Sequence, residues 1–328
     1  MNWDKQCMRL CSTVVLFAVV LRLAAAGAFA PALELAQSPG AISFFLYLQT
    51  GRVVRLSPEP ELLPIELTEP LPTEPARTSL RFRPEEADSM VITDPCGLEP
   101  ELAGLLTEPL DWDLTEGEPA VLILHTHTTE SYTQAPDAEY EESSPYRTLD
   151  EGHNMLCLGA LIARRLEEAG IRCIQDRELH DYPDYTGAYN RAAASTEEIL
   201  AQYPSIQLVL DLHRDAAETS FGQLVTQCAI GSETAAQVMM VVGTDASGLE
   251  HPDWERNLSL ALKLQALLER QNPGICRNLN LNRNRYNQHL GHRALLIEIG
   301  AAGNTLDEAA LAAEALARAI IELRYGSE

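Results

Sequence analysis

The sequence predicts an α/β fold for its C-terminal two-thirds: a mixed or mostly parallel sheet with helices on both faces, occupying residues 120–328. Two observations carry this. Short continuous apolar runs alternate with longer stretches of helical period, the order that builds such sheets. The strongest polar clusters directly follow the apolar runs, and open α/β sheets carry their chemistry beyond the carboxyl ends of their strands.

The elements follow in order. VLIL at residues 121–124 reads as a buried strand. Residues 153–169 place Leu156, Ala160, Ala163 and Leu166 at helical spacing, and Gly170 ends that helix before a strand at 171–174. A helix is expected near 187–203, a strand at 206–210, strands at 224–230 and 238–242, and a helix at 254–271. A last buried strand covers 294–299, and a helix runs from Asn304 to about Arg324.

The chain has 328 residues, 46% apolar and 22% charged, enough for one sizeable core with appendages. Its formal net charge of -24 excludes nucleic acid as a partner, since no basic patch offsets the repulsion of phosphates. Residues 57–119 hold 11 of the 19 prolines and many acidic residues, which predicts an extended acidic linker. Seven cysteines show no CxxC pair and no zinc-finger spacing; Cys157, Cys173 and Cys228 lie in apolar stretches and read as buried thiols.

Lys5 and Arg9 precede the apolar run STVVLFAVVL at residues 12–21, with LAAAGAFA at 23–30. A basic flank before an apolar stretch is the pattern of a signal anchor or a cleaved signal peptide, here residues 1–30. Residues 31–56 form a juxtamembrane segment in which AISFFLYLQ, 41–49, is too short to span. The expectation is a single pass in the cell membrane, with the catalytic domain outside the cytoplasm.

Three motifs carry the chemistry. HTHTTESY contributes His125, His127 and Glu130; DLHRD contributes His213, Arg214 and Asp215; LLIEIG contributes Glu298. Buried charge at three strand ends is costly unless paired or coordinated. Two imidazoles, a carboxylate and an open position make a catalytic Zn2+ site, beside which a further carboxylate serves as general base. Glu298 is the candidate for that base, and a salt bridge with Arg293 is its plainer explanation.

These motifs, with HDYPDY at 180–185, HPDW at 251–254, RYNQ at 285–288 and LLIEIGAAGNTLDEA at 295–309, resemble the stage II sporulation protein P family. The resemblance implies an amidase-like fold and a peptidoglycan hydrolase that cuts the N-acetylmuramoyl-L-alanine amide, with peptide cross-bridges as further substrates, during sporulation and forespore engulfment. It also implies a membrane anchor and cooperation with stage II sporulation protein D. By the pattern of the related zinc amidases, the metal ligands are His127, Asp150 and His213, with Glu298 catalytic. His125 stands as the alternative to His127, and Glu151 as the alternative to Asp150. Glu130, Arg214, Asp215, Tyr286, Asn287 and Gln288 are further candidates around the site. Two other functions share these residues: a zinc peptidase acting on proteins, and a non-catalytic membrane-anchored scaffold.

Overall fold

The computed structural model describes residues 80–327, other than Gly117, Asp137 and Ala138. The expected signal anchor and juxtamembrane segment, residues 57–79 of the expected linker, Cys7 and Cys11 lie outside the described residues. Among the described residues, seven strands form one sheet: β1 (Ile92–Thr93), β2 (Val121–Leu124), β3 (Cys173–Gln175), β4 (Leu208–Asp215), β5 (Val238–Gly243), β6 (Leu279–Asn282) and β7 (Ala294–Ala301). Their spatial order is β1-β6-β5-β7-β4-β2-β3. β7, β4, β2 and β3 are mutually parallel, as are β5, β6 and β1; the two groups meet antiparallel at β5 and β7. The fold is therefore mixed α/β with a mostly parallel central sheet.

Among the described residues five α-helices accompany it: α1 (Leu102–Thr107), α2 (Met155–Glu168), α3 (Ala188–Gln202), α4 (Trp254–Gln271) and α5 (Leu306–Glu322). Asn154 caps α2 by accepting the Leu156 amide, and Thr305 with Glu308 closes a capping box on α5. Gly170, at φ 82°, takes the left-handed turn that ends the chain's run through α2.

Strand side chains alternate, and the two faces of this sheet are unequally covered. Ile123, Leu210, Leu212, Met240, Val242, Ile297 and Ile299 join the large core beneath α2, α4 and α5. On the opposite face Leu122, Val209 and Ala294 pack against Ile199, Leu200 and Tyr203 around the end of α3. That smaller cluster stops short of β5 and β6, and the rest of the face is the floor of a cleft.

The structure adds β1 and β6, where no strands were expected, and departs from the sequence reading in three further places. β4 continues to Asp215 rather than ending at 210, because Leu212 extends the buried alternation and β7 supplies a partner as far as Asp215, with a register shift after His213. Gln227–Ile230 leaves the main sheet and pairs antiparallel with Glu233–Ala236. Residues 80–119 are not spacer: Phe82, Leu106, Leu110, Trp112 and Leu114 are buried in the main core. The apolar residues set among the acids decide this. Trp112 Nε1 donates to Leu323 O at 2.8 Å, and the Leu110 and Ser327 backbones pair at 3.0 Å.

The five described cysteines from Cys96 to Cys276 are free thiols. No helix among the described residues is long and apolar enough to cross a membrane.

Lys263 fastens α4 to this N-terminal layer. Its buried ammonium donates to Leu105 O at 3.0 Å and to Ser259 Oγ at 2.8 Å. Burial lowers its pKa to about 8, against an upward pull from Glu108. The unfolded chain therefore holds that proton more tightly, and between pH about 8 and the ordinary lysine value stability contributed at this residue rises with pH. Denaturant titrations from pH 7.5 to 10.5 should show the wild type gaining on Lys263→Met as pH rises; parallel curves would refute the assignment.

Candidate active site

The residues after β2 do not continue as a strand, and three hydroxyls fix the turn they form. Thr126 gives its amide and hydroxyl to the Asp211 carboxylate at 2.9 and 2.7 Å. Thr128 Oγ1 bonds Glu178 O at 2.6 Å, and Thr129 gives its amide and hydroxyl to Asp181 at 3.1 and 2.7 Å. Tyr132 is buried, and its hydroxyl bonds Ile299 O at 2.7 Å, next to Glu298 on β7. HTHTTESY is thus a tether between β4, the HDYPDY segment and β7.

The turn separates the two histidines of HTH. His125 is fully buried on the helix side, with its Nε2 2.9 Å from Gln175 Nε2. A Cβ on Gly159 of α2 would fall 2.5 Å from that ring nitrogen, so glycine makes the room His125 needs. Burial depresses its pKa to about 4. His125 and His127 do not share a face, because the chain turns between them. His127 lies on the cleft side, stacked on Tyr185 with ring centroids 4.6 Å apart, and edge-on to His213 at 5.3 Å.

His213 and Glu298 are register partners on the parallel pair β4 and β7, so both face the cleft. His213 sits between carboxylates: its Nδ1 is 3.6 Å from Glu130 Oε2, and its Nε2 is 3.0 Å from Asp211 Oδ1. Burial works against the charged ring, but Asp211, with Glu130 and Glu298, outweighs it and lifts the pKa to about 9. Glu130 is buried, and its Oε1 meets Arg147 Nη2 at 3.2 Å and Arg214 Nη1 at 3.6 Å. Burial opposes its ionisation, yet Arg214 and its other cationic neighbours hold its pKa below the usual carboxylate value. Glu298 has no ion pair among the described residues, and its Oε2 is enclosed without a hydrogen-bond partner. Burial, reinforced by Glu130 and Asp215, pushes its pKa to about 8.

The structure thus brings His127, Glu130, His213 and Glu298 together in a cleft of about 810 Å³. Asp150 and Glu151 do not line it. Asp150 bonds the Gly152 amide and His153 Nδ1, each at 2.9 Å, and Glu151 pairs with Arg177. Arg214 and Asp215 do not pair with each other: Arg214 joins Glu130 and bonds Ser131 O at 3.0 Å, whereas Asp215 accepts from Arg277 Nη1 at 2.8 Å. Arg293 turns to Arg256 O at 3.0 Å, not to Glu298. His180 and His251, which open the HDYPDY and HPDW motifs, are buried; His180 Nε2 lies 2.9 Å from Asp176.

Three supporting residues went unrecognised in the sequence. Asp211 backs His213 from two positions earlier on the same strand face, a relation the period of two makes readable. Asp181 and Arg147 form a buried ion pair beneath the turn, and no local spacing joins residues that far apart.

The donor types match a metal centre: two cleft-facing imidazoles and a carboxylate, with the Nδ1 of His127 enclosed and unpartnered. Among the described residues, no group of three or more His, Cys, Asp or Glu side chains stands at metal-holding spacing. Glu130 is engaged with Arg147 and Arg214 instead.

Asp181 is the anchor to test. Its buried carboxylate satisfies Thr129 and Arg147 together, and removing one partner of a buried pair typically costs ~3–5 kcal/mol. Asp181→Ala should lose stability of that order in urea unfolding and speed amide exchange at Thr129. Unchanged exchange at Thr129 would show that the turn is held elsewhere.

The family model described as Stage II sporulation protein P (SpoIIP) matches residues 72–321. Stage II sporulation protein P of Bacillus subtilis (strain 168) is 28% identical over 225 residues, which cover 65% of this chain and 53% of the relative. The chain's match thus spans about half the length of that relative. Among solved structures, the N-acetylmuramoyl-L-alanine amidase AmiC2 of Nostoc punctiforme aligns with TM-score 0.39 and 13% identity, over 62% of this chain and 96% of that one. The CwlD amidase from Clostridioides difficile, solved in complex with the GerS lipoprotein, aligns with TM-score 0.35 and 14% identity, over 63% and 94% of the two chains. With most of its length matched by the family model, this chain belongs to the stage II sporulation protein P family.

Proposed function

We propose that this domain is a zinc-dependent peptidoglycan hydrolase that cleaves the N-acetylmuramoyl-L-alanine amide during sporulation. The observation that supports it most is the pairing in register of His213 with Glu298, a carboxylate free of ion pairs, opposite His127 and Glu130 in one cleft. Family membership supports the sporulation setting.

In this reading His127, Glu130 and His213 hold the zinc, with Glu130 taking the place expected of Asp150 or Glu151. Zinc bound there supplies Lewis acidity toward the scissile carbonyl and a positive charge that acidifies water and lowers the pKa of Glu298. Asp211 orients His213 from behind, as carboxylates do for metal-binding imidazoles. Glu298 accepts a proton as the amide is attacked and returns it to the departing nitrogen. Tyr185, Tyr189 and Tyr286 line the cleft as rings against which a sugar face can pack. The excess negative charge is no obstacle, since wall peptides carry amines as well as carboxylates. The same reading puts the domain outside the cell membrane, tethered by residues 1–30, beside stage II sporulation protein D as a glycan-cutting partner.

The decisive comparison is Glu298→Gln against Asp150→Ala on purified sacculi. The glutamine variant keeps shape but cannot take the proton, so hydrolysis should fall ~10²- to 10⁴-fold with zinc retained. Asp150→Ala should stay near wild-type activity and zinc content, whereas Glu130→Gln should lose zinc. Zinc loss in Asp150→Ala, or near-normal turnover by Glu298→Gln, would overturn these assignments.

A further inference from the structure

The cleft extends well beyond His213 and Glu298, and its far floor has a composition the hydrolytic chemistry does not use. β6 reads Leu-Asn-Leu-Asn, with Asn278 immediately before it. Leu279 and Leu281 are fully buried in the core, so Asn278, Asn280 and Asn282 alternate onto the cleft face, and all three line the cleft. Asparagine is disfavoured in strands. Two on a strand flanked by β1 and β5, with a third just before it, are not edge protection, which is the usual reason for polar residues on a strand. The side chains of Asn278, exposed, and Asn280, half-buried, have no hydrogen-bond partner among the described residues, while Asn282 Oδ1 accepts the Asn284 backbone amide at 3.1 Å. A local rule broken without structural compensation points to function.

The cleft's carboxylates, Glu130, Asp215 and Glu298, stand on β4, β7 and the turn after β2, whereas the β6 side offers carboxamides and Arg277, whose Nη1 is ion-paired with Asp215 at 2.8 Å. Asn280 pairs in register with Val241, and Val241 with Leu296, two residues before Glu298. The asparagine strip therefore runs two inter-strand spacings from β7, about 10 Å, which is the reach of about three residues of extended peptide.

We infer that Asn278, Asn280 and Arg277 form a subsite for the peptide arm of the substrate, taking an extended, carboxylate-bearing peptide across the sheet from the scissile bond. Carboxamides pair with peptide N–H and C=O groups together, and Arg277, which gives only its Nη1 to Asp215, keeps its other guanidinium N–H groups for a carboxylate. The inference rests on the proposed hydrolytic reading and adds an orientation to it: peptide toward β6, glycan away from it.

The test uses the full-length protein and two synthetic substrates, a muramoyl compound bearing alanine alone and one bearing a three-residue stem with a free carboxylate. In the double variant Asn278→Ala, Asn280→Ala, kcat/KM on the three-residue stem should fall roughly tenfold, the value of one or two lost hydrogen bonds. Turnover of the alanine-only compound should be unchanged. Asn280→Asp, nearly isosteric and anionic, should lose more on the longer stem, and the unchanged short substrate reports that both variants are folded. Equal losses on both substrates, or none on either, would overturn the subsite. If the wild type cuts neither compound, the hydrolytic reading fails, and binding of the free stem peptide decides the subsite alone. Calorimetric binding lost in the double variant supports it; no binding to the wild type overturns it.

Discussion

The alternation of side chains along β4 and β7 is the constraint from which the site follows. Leu210 and Leu212 on one strand, and Ile297 and Ile299 on the other, are committed to the core beneath α2, α4 and α5. With those four fixed inward, Asp211, His213, Leu296 and Glu298 have no choice of face. The parallel register then sets His213 beside Glu298. A one-residue slip of either strand would bury a charged group under three helices and expose leucine, so hydrophobic burial enforces the chemistry's geometry. The other two members arrive by a different device. His127 and Glu130 sit on a turn, and a turn needs explicit tethers, which Thr126, Thr128 and Thr129 provide through Asp211, Glu178 and Asp181.

Asp211 joins the two devices, since it bonds Thr126 on one side and lies against His213 on the other. Burial discourages its ionisation, but His213 and the two Thr126 bonds hold its pKa at about 2. The charges are spread so that Glu130 stays ionised among Arg214, Arg147 and His213, while Glu298 forms no ion pair and burial holds its pKa high against the pull of His213 and Arg214. Two carboxylates in one cleft with opposed tendencies are what acid and base roles require.

Much of this was legible in the sequence because it rests on local pattern. α4 begins and ends where its periodicity predicts, β2 coincides with VLIL, and the HTHTTESY, DLHRD and LLIEIG clusters all reach one end of the sheet. What escaped depends on the third dimension. The turn after Leu124 sends His125 to Gly159 and His127 to the cleft, a divergence set by hydrogen bonds to residues up to 85 positions away. Asp150 and Glu130 are both carboxylates near a histidine, and only the fold shows which of them His213 faces. β6 was missed because its asparagines argue against a strand, the same feature that marks it for ligand contact. The acidic stretch read as linker holds Leu106, Leu110 and Trp112, whose burial outweighs what the prolines and charges around them imply.

The central claim is that His127, Glu130 and His213 hold a metal within reach of Glu298. Anomalous diffraction at the zinc edge, from crystals of the full chain grown with zinc, tests it most directly. The account predicts one strong peak bounded by those three side chains on the cleft face of β4. A peak at Asp150 or His125, or none in the cleft at saturating zinc, would contradict it.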